Sequence, residues 1–216
     1  MKHIPALMDG YRSFRSQTFP AKRQLYRDLV EHGQSPRVMI VACCDSRVDP
    51  AIILNAKPGD LFMVRNVANL VPPYEPHGDY HGTSAALEFA VTGLKIEHVV
   101  VLGHAFCGGV KAFLDGLYGG EADPELRFIS RWMSLLRPAM TRLQSANTSH
   151  NPHDRQHALE QASVVNSLAN LETFPFVQAQ LKAGTLALHG AWFDIEKGLL
   201  LEYDRRSDDF APLEID

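Results

Sequence analysis

Short runs rich in Val, Ile and Leu alternate along this chain with segments whose apolar residues recur at helical spacing. Residues 38–42, 61–64 and 98–102 have the composition of strands buried on both faces, and 185–189 and 199–203 form two late strands. Helical patterns separate the first four of these runs. The alternation predicts an α/β fold with a central, mostly parallel β-sheet flanked by helices on both faces and a late antiparallel edge strand.

The first 32 residues carry an interrupted apolar stripe with basic residues between its members. We expect residues 1–32 to form an N-terminal helical arm, which Pro20 divides into two helices. Residues 33–216 contain no repeat and no long linker, and they are expected to form a single α/β domain. The stripe of the arm needs a surface to cover it, and either its own domain or a second subunit would serve.

Composition and charge exclude several classes of protein. Hydrophobic residues make up 45% of the 216 positions, which is enough for a full core. The net charge is -4 and basic residues do not cluster, so nucleic acid is not expected as a partner. No apolar run is long enough to cross a membrane, and the N-terminus lacks the pattern of a signal peptide. We therefore expect a cytoplasmic protein.

Three cysteines are present, and all of them follow the ends of predicted strands. An odd number argues against a disulfide framework, so a metal site or a catalytic thiol is the better interpretation. Cys43 follows the first strand, while His104 and Cys107 follow the third. Because ligands bind at the carboxyl ends of parallel strands, we expect these three side chains to converge. Two thiolates and one imidazole form a zinc site with an open fourth position, as in catalytic zinc centres.

Asp45 and Arg47 lie two positions apart just after the first cysteine. Arg47 can hold Asp45 as a carboxylate through a forked, charge-assisted hydrogen bond. Zinc lowers the pKa of a bound water to about 7 and so provides hydroxide, from which Asp45 would accept a hydrogen bond. Cys44 is expected to point to the opposite side from Cys43 and to pack in the interior.

With these motifs the chain resembles the β-class carbonic anhydrases, from about Gly33 to Tyr203. Four further stretches carry the resemblance: residues 58–62, 65–69, 84–88 and 188–190. Residues 33–36 and 71–73 are similar to the plant-type branch in particular. The resemblance implies a lyase that hydrates carbon dioxide reversibly to bicarbonate and a proton, with Zn²⁺ on Cys43, His104 and Cys107 and with Asp45 and Arg47 as the catalytic pair.

The resemblance also implies a substrate pocket that two subunits share. Gln34 would reach the neighbouring subunit's pocket, Phe62, Val67 and Phe89 would form an apolar wall, and the backbone N–H of Gly108 would bind the substrate. From the residues alone, the three apolar side chains are equally well explained as core packing, and Gln34 as a solvated turn residue. A homodimer or a dimer of dimers is expected.

Some members of this family close their site by binding bicarbonate at a second location through a tryptophan, an arginine and a tyrosine. The corresponding positions here are Ile40, Arg65 and Phe193, so only the arginine is present and an open site is expected. Two other functions fit the motifs. One is a hydrolase of carbonyl sulfide or carbon disulfide that uses the same hydroxide. The other is a non-catalytic zinc-binding or thiol-sensing protein, which would need neither Asp45 nor Arg47.

Overall fold

A computed structural model describes residues 4–77, 81–118, 126–145 and 151–214. Six strands form one sheet: β1 (Val38–Cys43), β2 (Leu61–Asn66), β3 (His98–His104), β4 (Ala187–Asp194), β5 (Leu199–Asp204) and β6 (Asp209–Pro212). Their order is β2-β1-β3-β4-β5-β6. The first four strands are mutually parallel, and β5 and β6 continue the sheet in antiparallel fashion. The predicted α/β class, with a mostly parallel sheet flanked by helices and a late antiparallel edge, is confirmed.

The helices, in chain order, are α1 (Pro5–Ser13), α2 (Phe19–His32), α3 (Pro50–Ile53), α4 (Gly82–Glu88), α5 (Gly108–Leu114), α6 (Arg127–Met133), α7 (Arg137–Ser145), α8 (Pro152–Leu171) and α9 (Pro175–Lys182). Single turns of 3-10 helix lie at Val67–Asn69 and Ser134–Leu136, and α4 continues as a π-helical segment over Phe89–Leu94. None of the helices in the described part of the chain has the length and apolar character needed to cross a membrane.

The two faces of the sheet are covered differently. On one face, Met39, Val41, Val99 and Val101 pack with apolar residues of α4, α8 and α9. The opposite cluster, around Ile40, consists of strand residues only. The expectation of helices on both faces is therefore wrong for a single chain. This second face carries a groove of about 350 Å³. The groove is lined mainly by strand residues, which include Val38, Ile40, His98, Val100, Leu102 and His189.

The N-terminal arm is helical, as predicted, but Pro20 does not divide it. A π-helical segment, Phe14–Thr18, joins α1 directly to α2, and the backbone keeps helical angles through both junctions. Pro20 is the second residue of α2, directly after the π-helical segment, and the helical backbone continues through it. Neither α1 nor α2 contains a buried residue. The apolar stripe of the arm is thus only half-buried within one chain, and some of its members are exposed.

Several element boundaries differ from those predicted. β4 runs to Asp194 rather than ending at residue 189, because Gly190–Asp194 continue its ladder with β3 and β5. The prediction missed β6, in which Pro212 lies at the free edge, where a strand tolerates proline. The helical pattern predicted for 123–146 divides into α6 and α7. Its first residues, 123–125, lie outside the described residues, as does residue 146.

Candidate metal centre

The ends of two adjacent strands bring the predicted ligands together. β1 and β3 are parallel neighbours, with Ala42 opposite Leu102, so Cys43 and His104 lie at the same carboxyl edge of the sheet. Cys107 follows His104 by three residues and is the N-cap residue of α5. The chain between them turns sharply at Phe106, whose φ of 55° lies in the left-handed region. This turn directs Cys107 back toward the edge of the sheet.

The three candidate ligand atoms form a tight, buried cluster. The sulfurs of Cys43 and Cys107 and a ring nitrogen of His104 all lie within 4.8 Å of one another. The two sulfurs are 4.0 Å apart. That separation is twice a disulfide bond length, and it is close to the roughly 3.8 Å expected between two thiolates on one tetrahedral zinc. Among the described residues this is the only group of histidine, cysteine or acidic side chains with such geometry.

The imidazole of His104 is oriented for metal binding. Its Nδ1 lies 2.8 Å from the carbonyl oxygen of Ala105, to which it donates in one tautomer. Its Nε2 is buried and has no hydrogen-bond partner within the described chain. A buried ring nitrogen without a partner is costly unless another group, such as a metal ion, uses its lone pair. The donor set and this unpartnered nitrogen both fit Zn²⁺.

The two thiols have different acidities because they share a hydrogen bond. The bond from Cys107 lowers the pKa of Cys43 to about 4, against the opposing effect of burial. The same bond, together with burial, raises the pKa of Cys107. One thiolate is therefore readily formed, and the second proton leaves easily only when a cation compensates the added negative charge.

Arg47 holds Asp45 beside this cluster. Nε of Arg47 donates to Oδ1 of Asp45 at 2.9 Å, and its Nη2 donates to Oδ2 at 2.7 Å. The backbone N–H of Arg47 adds a third bond to Oδ1. These bonds hold the pKa of Asp45 well below its usual range. Nη2 of Arg47 also donates to the carbonyl oxygen of Phe106, which ties the pair to the ligand turn.

Arg65 supports the loop that follows Cys43. Its guanidinium donates to the carbonyl oxygens of Cys43, Asp45 and Val48 at distances between 2.6 and 3.1 Å. It also pairs with Asp49 at 3.2 Å. Ile40 is fully buried, and Phe193 packs in the same cluster. Arg65 is thus engaged with its own chain at the position where other family members use an arginine for bicarbonate.

The predicted substrate residues lie in two places. Gly108 begins α5 directly after Cys107, and a Cβ placed on the next residue, Gly109, would approach Val67 to 3.0 Å. Phe62 and Phe89 contact each other with ring centroids 5.9 Å apart and planes tilted by 43°, and Phe89 is 53% exposed. Gln34 is exposed on the segment between α2 and β1. Within the described residues, Phe89 and Gln34 are thus exposed, whereas Phe62 is half-buried.

Cys44 does not pack in the interior, contrary to the prediction, and its side chain is exposed. The reason is that β1 ends at Cys43, so the alternation of strand side chains does not extend to the next residue. The backbone N–H of Cys44 instead closes the strand end by donating to the carbonyl oxygen of Asn66 at 2.8 Å.

Sequence reasoning missed two polar residues behind Cys107. Glu160 and Gln156 on α8 are almost fully buried, and both bind the backbone of Cys107. Burial raises the pKa of Glu160 to about 7, although the N–H of Cys107 opposes this by stabilising the carboxylate. The only available signal was the position of these residues within the predicted helix 155–171, where i and i+4 lie on one face.

The comparisons with known proteins all indicate the same family. Residues 38–200 match the family model described as carbonic anhydrase. A carbonic anhydrase of Synechocystis sp. is 36% identical over 206 residues, which cover 95% of this chain and 73% of that protein.

Two solved structures resemble this chain closely. The β-carbonic anhydrase CcaA superimposes with a TM-score of 0.88 at 34% identity, covering 100% of this chain and 94% of that chain. One of two tetrameric β-carbonic anhydrases from Sordaria macrospora has a TM-score of 0.79 at 25% identity, covering 94% and 97%. The similarity covers β1, β3 and the start of α5, which carry the three candidate ligands.

Proposed function

The chain belongs to the β-class carbonic anhydrase family, and on that premise we propose which of its residues carry out the reversible hydration of carbon dioxide. The observation that carries the proposal is the buried cluster of Cys43, His104 and Cys107 next to an ion-paired Asp45. When bound, zinc supplies hydroxide at neutral pH by lowering the pKa of water.

Asp45 and Arg47 form the catalytic pair. Asp45 is an acceptor of hydrogen bonds because Arg47 keeps it ionised. Asp45 accepts a hydrogen bond from the nucleophilic hydroxyl group and so orients it. In this orientation an oxygen lone pair is free to attack carbon dioxide. The three bonds from Arg47 also keep the carboxylate from turning toward the metal ligands, which preserves an open fourth position.

Carbon dioxide is small and apolar, so its pocket needs apolar walls and few polar contacts. We assign the walls to Phe62, Val67 and Phe89. The backbone N–H of Gly108 binds a substrate oxygen, because it lies directly after the ligand Cys107 at the start of α5.

We further propose that the chain functions as a homodimer or a dimer of dimers. The incompletely buried stripe of the arm and the apolar groove on the second face of the sheet each offer a surface for a partner. A second copy supplies both, and it brings its own Gln34 to the pocket as a donor to bicarbonate. The tetrameric relatives from Sordaria macrospora support the same interpretation.

A cytoplasmic location fits the chemistry of the cysteines. Cys43, Cys44 and Cys107 are all free thiols in the structure. The proposed ligands must remain reduced in order to bind zinc, and a reducing compartment keeps them so.

Replacement of Asp45 by asparagine tests the catalytic pair. We expect Asp45→Asn to keep its zinc, because Asp45 is not part of the ligand cluster, and to hydrate carbon dioxide about 100-fold more slowly, since the amide no longer orients the hydroxyl correctly. Stopped-flow hydration assays and metal analysis on the same sample measure both quantities.

The matched control is Asp115→Asn. Asp115 is also an ion-paired aspartate, and its partner is Lys111 on α5. This variant should hydrate carbon dioxide at the wild-type rate. Unaltered hydration by Asp45→Asn with zinc bound would contradict the proposed pair. A wild-type sample that hydrolyses carbon disulfide but does not hydrate carbon dioxide would favour the alternative hydrolase.

A further inference from the structure

Helix α8 places two polar side chains in the interior, one turn apart. Gln156 is 7% exposed and Glu160 only 1%. Residues at i and i+4 of a helix lie on the same face, so these two side chains extend side by side toward the carboxyl edge of the sheet. A buried carboxyl group is costly without hydrogen-bond donors around it, so its position calls for a physical reason.

Both side chains bind the backbone of Cys107. Oε1 of Glu160 accepts the backbone N–H of Cys107 at 2.8 Å. Nε2 of Gln156 donates to the carbonyl oxygen of Cys107 at 3.2 Å and to Oε1 of Glu160 at 2.9 Å. The backbone N–H and C=O of one residue, Cys107, are thus both held by one face of α8. We call Gln156 and Glu160 the α8 clamp.

Cys107 requires such support more than the other ligands do. Cys43 and His104 belong to strands whose ladders fix their backbones. Cys107 instead follows Phe106, which has a φ of 55°. The backbone of a residue other than glycine is strained in this left-handed region. Such a conformation persists only where the surrounding contacts enforce it. The α8 clamp acts on the residue directly after the strained one.

We propose that Glu160 and Gln156 are positioning residues for the metal, because they fix the backbone of Cys107 and thereby the location of its sulfur. This inference rests on the zinc site proposed above. The side chains do not touch the metal or the substrate. They act through Cys107, the residue that would bind the metal directly. Loss of a residue that supports a metal ligand in this way commonly lowers metal affinity by about 10- to 100-fold.

Zinc affinity of purified variants tests the clamp without relying on activity. We would prepare Glu160→Ala, Glu160→Gln and Gln156→Ala and compete each for zinc with a chromophoric chelator. The matched control is Asn166→Ala, which removes an equally buried amide from the same helix, one that donates to the carbonyl oxygen of Leu135 and not to the ligand turn. Thermal unfolding of each variant gives its stability separately.

We expect a loss of zinc affinity of about 10- to 100-fold for Glu160→Ala and a smaller loss for Gln156→Ala. Glu160→Gln should recover much of the affinity, because its amide oxygen can still accept the N–H of Cys107. In the cobalt-substituted protein, the sulfur-to-metal absorption bands should shift in Glu160→Ala and stay unchanged in Asn166→Ala.

Three results would overturn the α8 clamp. The first is wild-type zinc affinity in Glu160→Ala, or in Gln156→Ala if the former does not fold. The second is an equal loss of affinity in Asn166→Ala, which would indicate general destabilisation. The third is a Glu160→Gln variant that binds zinc no better than Glu160→Ala. A wild-type chain that binds no zinc would instead contradict the proposed function itself.

Discussion

At the scale of single residues, the charge of Asp45 depends on Arg47. The guanidinium donates to both carboxylate oxygens and lowers the pKa of the acid. Because this pKa lies lower in the folded chain than in the unfolded chain, the ion pair stabilises the fold at neutral pH. That contribution is complete above the unfolded value, about 3.9, and decreases as the pH falls below it toward the folded pKa.

Replacing Arg47 with methionine should therefore raise the pKa of Asp45 toward or above its ordinary value, since burial opposes ionisation once the guanidinium is gone. We expect the carboxyl ¹³C resonance of Asp45 to begin titrating by about pH 5 in Arg47→Met, while the wild-type resonance stays constant from pH 7 to 4. Indistinguishable titration curves in the two proteins would show that Arg47 does not control this charge.

At the scale of elements, the packing of α8 against β3 determines how the ligand turn is held. Gly103, just before His104, allows the close approach of the helix, because a Cβ there would lie 2.7 Å from Cγ2 of Val164. The helix that comes this close also carries Gln156 and Glu160. Gly103 in the strand thus allows α8 to lie close enough for Gln156 and Glu160 to reach the ligand turn.

Gly103→Ala should destabilise the fold by about 1–3 kcal/mol, because the added methyl group displaces a buried, branched side chain of the helix. Urea unfolding measures the change. Gly10→Ala is the matched control, since a Cβ at Gly10 in α1 meets nothing within 4 Å. It should leave stability equal or raise it by up to about 1 kcal/mol. Equal effects of both substitutions would contradict the close helix–strand contact.

The elements differ in how well the sequence predicts them. Cys43 and His104 were identifiable because each ends a short apolar strand, and adjacent parallel strands bring such ends together. Glu160 was not identifiable, because its partner Cys107 lies 53 residues away and the approach depends on tertiary packing. Cys44 was assigned to the interior because strand alternation was extended one residue beyond the end of β1. The predicted strand was shorter than β4 because Gly190 and Asp194 interrupted the apolar pattern of the sequence.

At the scale of the whole molecule, the second face of the sheet and the N-terminal arm both have apolar side chains that one chain does not fully bury. The sequence indicated that the arm needs a partner surface, but it did not predict that one sheet face lacks helices. The groove on that face is nearly all apolar, with His98 and His189 hydrogen-bonded to each other at 3.1 Å. Burial by a second copy would remove this surface from water, which is a strong driving force for association.

Val100→Asp should separate the proposed oligomer into monomers, because Val100 lines the apolar groove and burying a charged carboxylate at an interface there is costly. Light scattering coupled to size-exclusion chromatography measures the mass, and Val100→Ile, which keeps the position apolar, should retain the wild-type mass. An oligomer unaffected by Val100→Asp would place the interface elsewhere.

Zinc K-edge X-ray absorption on the active wild-type protein tests the central claim most directly, since it reports the atoms around the metal. The account predicts two sulfur neighbours at about 2.3 Å and two lighter neighbours at about 2.0 Å, one of them the imidazole nitrogen of His104 and the other a solvent oxygen. The same spectrum is expected from Asp45→Asn. A single sulfur neighbour, or a spectrum that loses its oxygen neighbour in Asp45→Asn, would contradict a Cys₂His centre with an open position.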